Sequence, residues 1–134
     1  DEFMRPYYVK LLDRLRSLGV QKILVDSDGN TEQVCEWLWD VGVEGHYPLE
    51  VRANNTPERL RKKFPRLALI GGVDKFELMK GTKEIDEELM RLMPIVEQGG
   101  YIPCMDHKVP PTVSLYNYQY YIEKKARLLE QFSK

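Results

Sequence analysis

Apolar residues recur along the chain with two alternating periods, one typical of amphipathic helices and one typical of short buried strands. The first helical pattern covers residues 3–18 and ends before Gly19, because glycine favours a helix stop. Apolar and β-branched runs after that point are too short for helices and are bounded by polar or glycine residues. The predicted strands lie at 22–25, between 42 and 50, at 67–70 and at 101–104.

Each predicted strand is followed by a helical pattern that starts next to a capping residue. Side chains of Asn, Thr and Ser favour this position because they accept hydrogen bonds from the free amides of the first turn. Pro57 suits a first helical position, and Pro94 predicts a kink inside a helix that ends at Gly99 and Gly100. The predicted helices are 31–39 capped by Asn30, 57–64 capped by Thr56, 82–98 capped by Thr82, and 115–129 capped by Ser114.

The order is therefore one helix followed by four strand-plus-helix units, without a low-complexity linker. Regular alternation of this kind predicts an α/β fold with parallel strands covered by helices. Residues 1–134 are expected to form a single domain. Two architectures fit the pattern, an open doubly wound sheet or part of an eight-unit barrel of typically ~250 residues. By that measure four units are about half of a TIM-type barrel.

Polar residues follow every predicted strand. In both architectures the C-terminal ends of parallel strands meet at one rim, and ligands bind there. We therefore expect a functional site at this rim. Its expected members are Asp26, Asp28, Asn30, Glu50, Asp74, Asp106 and His107.

Charge and composition narrow the classes of partner. Lys plus Arg number 20 against 21 Asp plus Glu, and the basic residues are spread along helical patterns, which disfavours nucleic acid and anionic membranes as partners. The two cysteines, Cys35 and Cys104, form no CxxC pair, which disfavours a disulfide scaffold and a thiolate zinc cluster. No apolar run approaches the ~20 residues of a membrane span. The cysteine usage and the lack of a membrane span together lead us to expect a cytoplasmic protein.

The segment DSDGNT after the first strand allows three local interpretations. A haloacid-dehalogenase phosphatase has DxD at this place, but Asn30 stands where that motif has Thr or Val. A calcium-binding EF-hand loop that starts at Asp26 would need Gly and Glu where Thr31 and Trp37 stand. The third interpretation is a turn that Asp28 and Asn30 shape by binding backbone amides. Asn30 fits that structural role better than Asp26, which lies at the strand end.

The stretch GGVDKFELMKGTKEIDEELMRLMPIVEQGGYIPCMDHKVPP resembles the uroporphyrinogen decarboxylase superfamily, which includes corrinoid-dependent methyltransferases. The resemblance extends to DEFMRPYYVKLLDRLRSLG, similar to the helix before strand five, and to ILVDSDGN, similar to strand five and its loop. LIGGVD looks like strand seven, and GGYIPCMDHKVPP looks like strand eight. Members of this superfamily fold as (β/α)8 barrels. The resemblance implies that the chain is the C-terminal half of such a barrel.

The resemblance implies two alternative sets of residue roles, one for each branch of the superfamily. In the zinc-bearing methyltransferases, strand five ends in His-x-Cys and strand eight supplies another Cys, and the matching positions here are Asp26, Asp28 and His107. Two carboxylates and an imidazole suit zinc or another divalent metal, without thiolate ligands. In the decarboxylase branch, Asp28 and Gly29 match an Asp-Gly pair and His107 matches a strand-eight histidine. That branch needs neither metal nor cofactor, whereas the methyltransferase branch implies a divalent metal and cobalamin.

On the decarboxylase interpretation, the enzyme removes carboxylates from tetrapyrrole acetate side chains in porphyrin biosynthesis. This chemistry needs a proton donor and charged groups around the pyrrole. We expect His107 to donate or position protons and Asp26 or Asp28 to stabilise the protonated pyrrole. We expect the remaining members of the rim, Glu50, Asp74, Asp106 and Asn30, to bind substrate.

The resemblance places an arginine clamp and the main catalytic Asp in the N-terminal half of the barrel, so the chain by itself is expected to be inactive. The expected partners are a tetrapyrrole or corrinoid-type small molecule, and either the N-terminal half or a second copy of the chain. Two other functions stay open. One is a corrinoid-dependent methyltransferase or demethylase, and the other is a non-catalytic half barrel that serves binding or assembly.

Overall fold

A computed structural model describes residues 2–132. Helices and strands alternate through these residues, as the sequence predicts. The elements are α1 (Arg5–Ser17), β1 (Leu24–Asp26), α2 (Glu32–Asp40), β2 (Gly45–Leu49), a 3₁₀ turn (Val51–Ala53), α3 (Pro57–Lys63), β3 (Ala68–Val73), α4 (Lys75–Leu78), α5 (Thr82–Glu97), β4 (Tyr101–Met105) and α6 (Leu115–Glu130). None of the helices in this described range is long and apolar enough to cross a membrane.

The four strands form one parallel sheet in the order β1-β2-β3-β4. This order distinguishes the two predicted architectures, because a doubly wound sheet reverses its strand order at a switch point whereas a barrel adds each strand beside the previous one. The predicted α/β class is confirmed, and the sheet corresponds to half of a TIM-type barrel.

The two faces of the sheet have different surroundings. Leu69 and Tyr101, which are paired across β3 and β4, point into a core that α3, α5 and α6 complete with Leu60, Leu89 and Tyr121. A second cluster joins α1, α2 and the residue before β1 through Leu12, Leu38 and Ile23. On the opposite face, the exposed fractions of Leu24, Tyr47 and Ile102 are 44%, 40% and 59%. This open face corresponds to the interior of a closed barrel.

Two of the predicted caps are confirmed. The Thr56 side chain accepts a hydrogen bond from the amide of Arg59 at the start of α3, and Ser114 does the same for Asn117 at the start of α6. The cap predicted at Thr82 is wrong, because Gly81 is the N-cap residue of α5 and Thr82 lies within the helix. Helix α5 continues through Pro94 to Glu97.

Helix α2 begins one residue later than predicted, with Thr31 at the N-cap position. The Asn30 side chain nevertheless accepts a hydrogen bond from the amide of Glu32 at 3.3 Å, so it still satisfies a free donor of the first turn. Strand β3 extends beyond the predicted stop at its two glycines. Gly71 has a φ of +121°, and a Cβ there would lie 2.5 Å from the Leu49 amide nitrogen, so glycine is what lets β3 pass close to β2.

Candidate functional site

A cavity of about 260 Å³ opens where the carboxyl ends of β1, β2 and β4 meet. Its position is the rim that parallel α/β folds use for ligands. Aspartates, a tyrosine, a histidine and a lysine supply its polar surface. The lining residues are Asp26, Asp28, Tyr47, Pro48, His107 and Lys108.

Three side chains converge beside this cavity from three different strand ends. Ligand atoms of Asp28, Glu50 and His107 all lie within 4.8 Å of one another. His107 Nε2 is 3.6 Å from Asp28 Oδ1, which is an ion pair when the imidazole is protonated. The exposed fractions of these two side chains are 33% for His107 and 68% for Asp28, so both are open to a ligand. The fold thus brings together three of the residues that the strand-end rule predicts.

Buried polar contacts support the loop that carries Asp28. The Thr31 hydroxyl lies 2.8 Å from Nε2 of His46, whose exposed fraction is 1%. The Cys35 thiol is within 3.9 Å of the same hydroxyl. Burial lowers the pKa of His46 and raises the pKa of the Cys35 thiol. Both groups are therefore neutral near pH 7 and pack as part of the structure beneath the rim.

Asp74 and Asp106 use their carboxylates for contacts within the chain. Asp74 caps α4 by accepting from the Phe76 amide at 2.9 Å, and its other oxygen accepts from Arg52 Nε at 2.8 Å. Asp106 is fully buried, and both of its oxygens lie 3.2 Å from Lys75 Nζ. Burial raises the pKa of Asp106, and the hydrogen bonds from Lys75 act in the opposite direction. The substrate-binding roles expected of these two residues and of Asn30 stay predictions.

A family model described as uroporphyrinogen decarboxylase (URO-D) matches residues 1–127. The chain belongs to the uroporphyrinogen decarboxylase family. A comparison with curated proteins found no significant match. The half barrel and its rim are therefore those of a member of this family.

The cavity of this family member includes two polar residues that sequence reasoning missed, Tyr47 and Lys108. Tyr47 pairs with Asp26 in the register of β1 and β2, so both side chains lie on the open face. The alternation of strand residues could have indicated this placement once the register was known. Lys108 follows His107 directly, but its approach to the cavity depends on the path of the loop after β4.

The group of Asp28, Glu50 and His107 fits a divalent cation. Carboxylate oxygens and an imidazole nitrogen are ligands that zinc and other divalent transition metals accept. The metal ligands expected from the sequence were Asp26, Asp28 and His107; Asp26 lines the same cavity, while Glu50 completes the close group in the structure. No cysteine joins this group within residues 2–132, so the donors are oxygen-rich.

Proposed function

We propose that this chain forms the C-terminal half of a uroporphyrinogen-decarboxylase-like enzyme that removes carboxylate groups from tetrapyrrole acetate side chains. The observation that carries this proposal is the cavity at the rim, where the Asp28 and His107 pair and the Lys108 cation meet in a member of this family. Decarboxylation requires both kinds of group, one to move protons and one to hold an anionic carboxylate.

Each group has a defined task in this reaction. Protonation of the pyrrole ring creates an electron sink, the bond between the acetate methylene and its carboxylate breaks, and carbon dioxide leaves. A proton then adds to the methylene carbon to give a methyl group, and the ring returns its own proton. In our proposal His107 delivers the proton to the ring and takes it back after water has protonated the methylene carbon, with Asp28 holding its imidazole in place. Asp26 stabilises the cationic pyrrole, and Lys108 binds a substrate carboxylate.

The size of the cavity agrees with a half site. Sites for small molecules usually measure ~300–1,000 Å³, which is larger than the 260 Å³ cavity of this chain. A cavity of this volume suits one pyrrole ring and its side chains, and the rest of a tetrapyrrole would extend over the open face near Tyr47 and towards the other half of the barrel. The resemblance assigns further carboxylate-binding arginines to that half.

The proposal is tested on the full-length enzyme with uroporphyrinogen as substrate, and mass spectrometry follows the stepwise loss of carbon dioxide. Asp28→Asn and His107→Gln are expected to lower kcat by about 10²-fold to 10⁴-fold, the usual contribution of a positioned acid or base. Glu97→Gln is the matched control because Glu97 is an exposed acid at the C-terminal end of α5, before β4 and at the opposite end of the sheet.

Lys108→Met separates binding from chemistry in the same assay. We expect it to raise KM more than it lowers kcat, since its proposed partner is a carboxylate of the substrate. Lys62→Met is its control, because Lys62 is an exposed lysine in α3, away from the cavity. An enzyme that leaves uroporphyrinogen unchanged, or that works normally with Asp28→Asn and His107→Gln, would contradict the proposal.

The close group of Asp28, Glu50 and His107 favours a second candidate, a corrinoid-dependent methyltransferase or demethylase. These three residues would hold a divalent metal, which when bound supplies Lewis-acid activation of the methyl donor or acceptor. Metal analysis of the purified full-length protein tests this candidate, together with the absorbance change of added cobalamin. Asp28→Asn and Glu50→Gln should each lower the metal content, whereas Glu97→Gln should not. A metal-free protein without effect on cobalamin absorbance would exclude it.

A further inference from the structure

The turn between β2 and α3 brings two side chains to the loop that carries Asp28. Residues Val51–Ala53 form one 3₁₀ turn, and Asn54 then adopts the left-handed conformation with a φ of 68°. The Asn55 amide closes the turn by donating to the Glu50 carbonyl at 3.1 Å. Glu50 and Asn55 are therefore fixed relative to each other, and both reach the loop after β1.

Three backbone groups of that loop are bound by these two side chains. Glu50 Oε1 accepts from the Gly29 amide at 2.9 Å. Asn55 Oδ1 accepts from the Thr31 amide at 3.2 Å, and Asn55 Nδ2 donates to the Gly29 carbonyl. The backbone amide and the backbone carbonyl of Gly29, the residue directly after Asp28, are thus both bound.

The Asn55 carboxamide provides both the hydrogen-bond donor and the acceptor that the loop after β1 requires. The Thr31 amide is buried and the Gly29 carbonyl is partly buried, and one carboxamide offers an acceptor to the first and a donor to the second. The Asn55 side chain is fully buried, so water does not substitute for it. Removal of the Asn55 carboxamide leaves the buried Thr31 amide and the partly buried Gly29 carbonyl without this partner, which favours a shift of the loop.

We infer that Asn55 is a positioning residue for the site, which sets Asp28 at its 3.6 Å separation from His107 by binding the backbone at Gly29 and Thr31. This inference rests on the proposed function for its catalytic consequence. Asn55 is fully buried and does not line the cavity, so it does not touch the substrate. Its effect on the site therefore passes through the loop. A displacement of about 1 Å at a reacting group can cost about 10²-fold in rate, so the loop position matters for turnover.

The first test measures position and does not depend on activity. Crystal structures of the full-length enzyme give the distance between Asp28 Oδ1 and His107 Nε2, and hydrogen exchange gives the protection of the Thr31 amide. Asn55→Ala should lengthen that distance and speed exchange at Thr31. Asn54→Gly is the matched control, because glycine also adopts the left-handed conformation of Asn54, and it should change neither quantity. An unchanged loop in Asn55→Ala would overturn the inference.

The second test measures turnover. Asn55→Ala should lower kcat by about 10²-fold with little change in KM, and Asn55→Asp, which keeps the side-chain volume but lacks the amide donor, is the second variant if the first does not fold. Adding Asn55→Ala to Asp28→Asn should lower kcat no further, because Asn55 acts through Asp28. Losses that simply multiply, or a folded Asn55 variant with normal kcat, would overturn the inference. A parent enzyme that leaves uroporphyrinogen unchanged would refute the proposed function, while the distance measurement would still decide the role of Asn55.

Discussion

At the scale of single residues, the buried His46 makes the support of the rim sensitive to pH. Burial lowers the pKa of His46, and the carboxylate of Asp26 and the backbone of Val25 only partly oppose that effect. The unfolded chain binds a proton at the ordinary pKa of about 6.5, whereas the folded chain resists protonation until a lower pH. The contribution of His46 to the free energy of unfolding is therefore fully present above about pH 6.5. It is lost as the pH falls towards the pKa that His46 has in the folded chain.

We predict that His46→Gln makes the free energy of unfolding less dependent on pH below about 6.5. The wild-type contribution to the slope is at most about 1.4 kcal/mol per pH unit, because one proton is involved. Urea unfolding at a series of pH values measures this slope. Asn54→Gly changes no titratable group, so it is the control and should retain the slope of the wild type. Equal slopes for the wild type and His46→Gln would contradict the prediction.

The residues of the site were predictable in part. The strand-end rule places Asp28, Glu50 and His107 at one rim, because it needs only the strand boundaries and the parallel direction. This rule does not show which carboxylates at the rim are free to bind a ligand and which are paired within the chain. Asp74 and Asp106 are taken up by Arg52 and Lys75, and these partners come from a neighbouring loop and a short helix. The role of Asn55 also depends on contacts between two loops, which no periodic pattern records.

At the scale of secondary structure, the strands and the longer helices were predictable, whereas the two shortest helical elements were not. Helices α1, α5 and α6 extend over three turns or more, so their apolar positions repeat often enough to identify the period. Helix α4 and the 3₁₀ turn have four and three residues, which is too few for a repeat. Caps are also hard to predict from sequence. A single Thr or Ser indicates a cap only when the residue at which the helix begins is known.

We therefore predict different effects at two positions that look alike in the sequence. Ser114→Ala should lower the free energy of unfolding by about 1 kcal/mol, because the Ser114 hydroxyl accepts from the Asn117 amide at 3.1 Å at the start of α6. Thr82→Ala should have little effect, since Thr82 is already inside α5 and caps nothing. Thermal and denaturant unfolding of both variants measure the difference. A larger loss for Thr82→Ala than for Ser114→Ala would mean that Thr82 caps α5, as the sequence pattern predicts.

At the scale of the whole molecule, the half barrel leaves an apolar sheet face and two strand edges uncovered. In the order β1-β2-β3-β4, strands β1 and β4 each have a neighbour on one side only within the described residues. Parallel sheets are normally covered on both faces, and unpaired edges favour pairing with another chain. Leu24 on β1 and Ile102 on β4 are exposed at these two edges. The side-chain chemistry of the open face thus favours association.

We predict that residues 1–134, produced alone, associate in solution, with the open face and the strand edges as the interface. Analytical ultracentrifugation should show species larger than a monomer. Ile102→Lys should shift them towards the monomer, because a charge on an edge strand and on the open face opposes pairing. Met90→Lys is the control, since Met90 is an exposed apolar residue of α5 with an exposed fraction of 55%, on the helical layer away from the open face. Addition of the proposed N-terminal half as a separate chain should compete with self-association, because both would cover the same face. A monomeric chain that unfolds cooperatively would show that the half barrel is stable with this face in water.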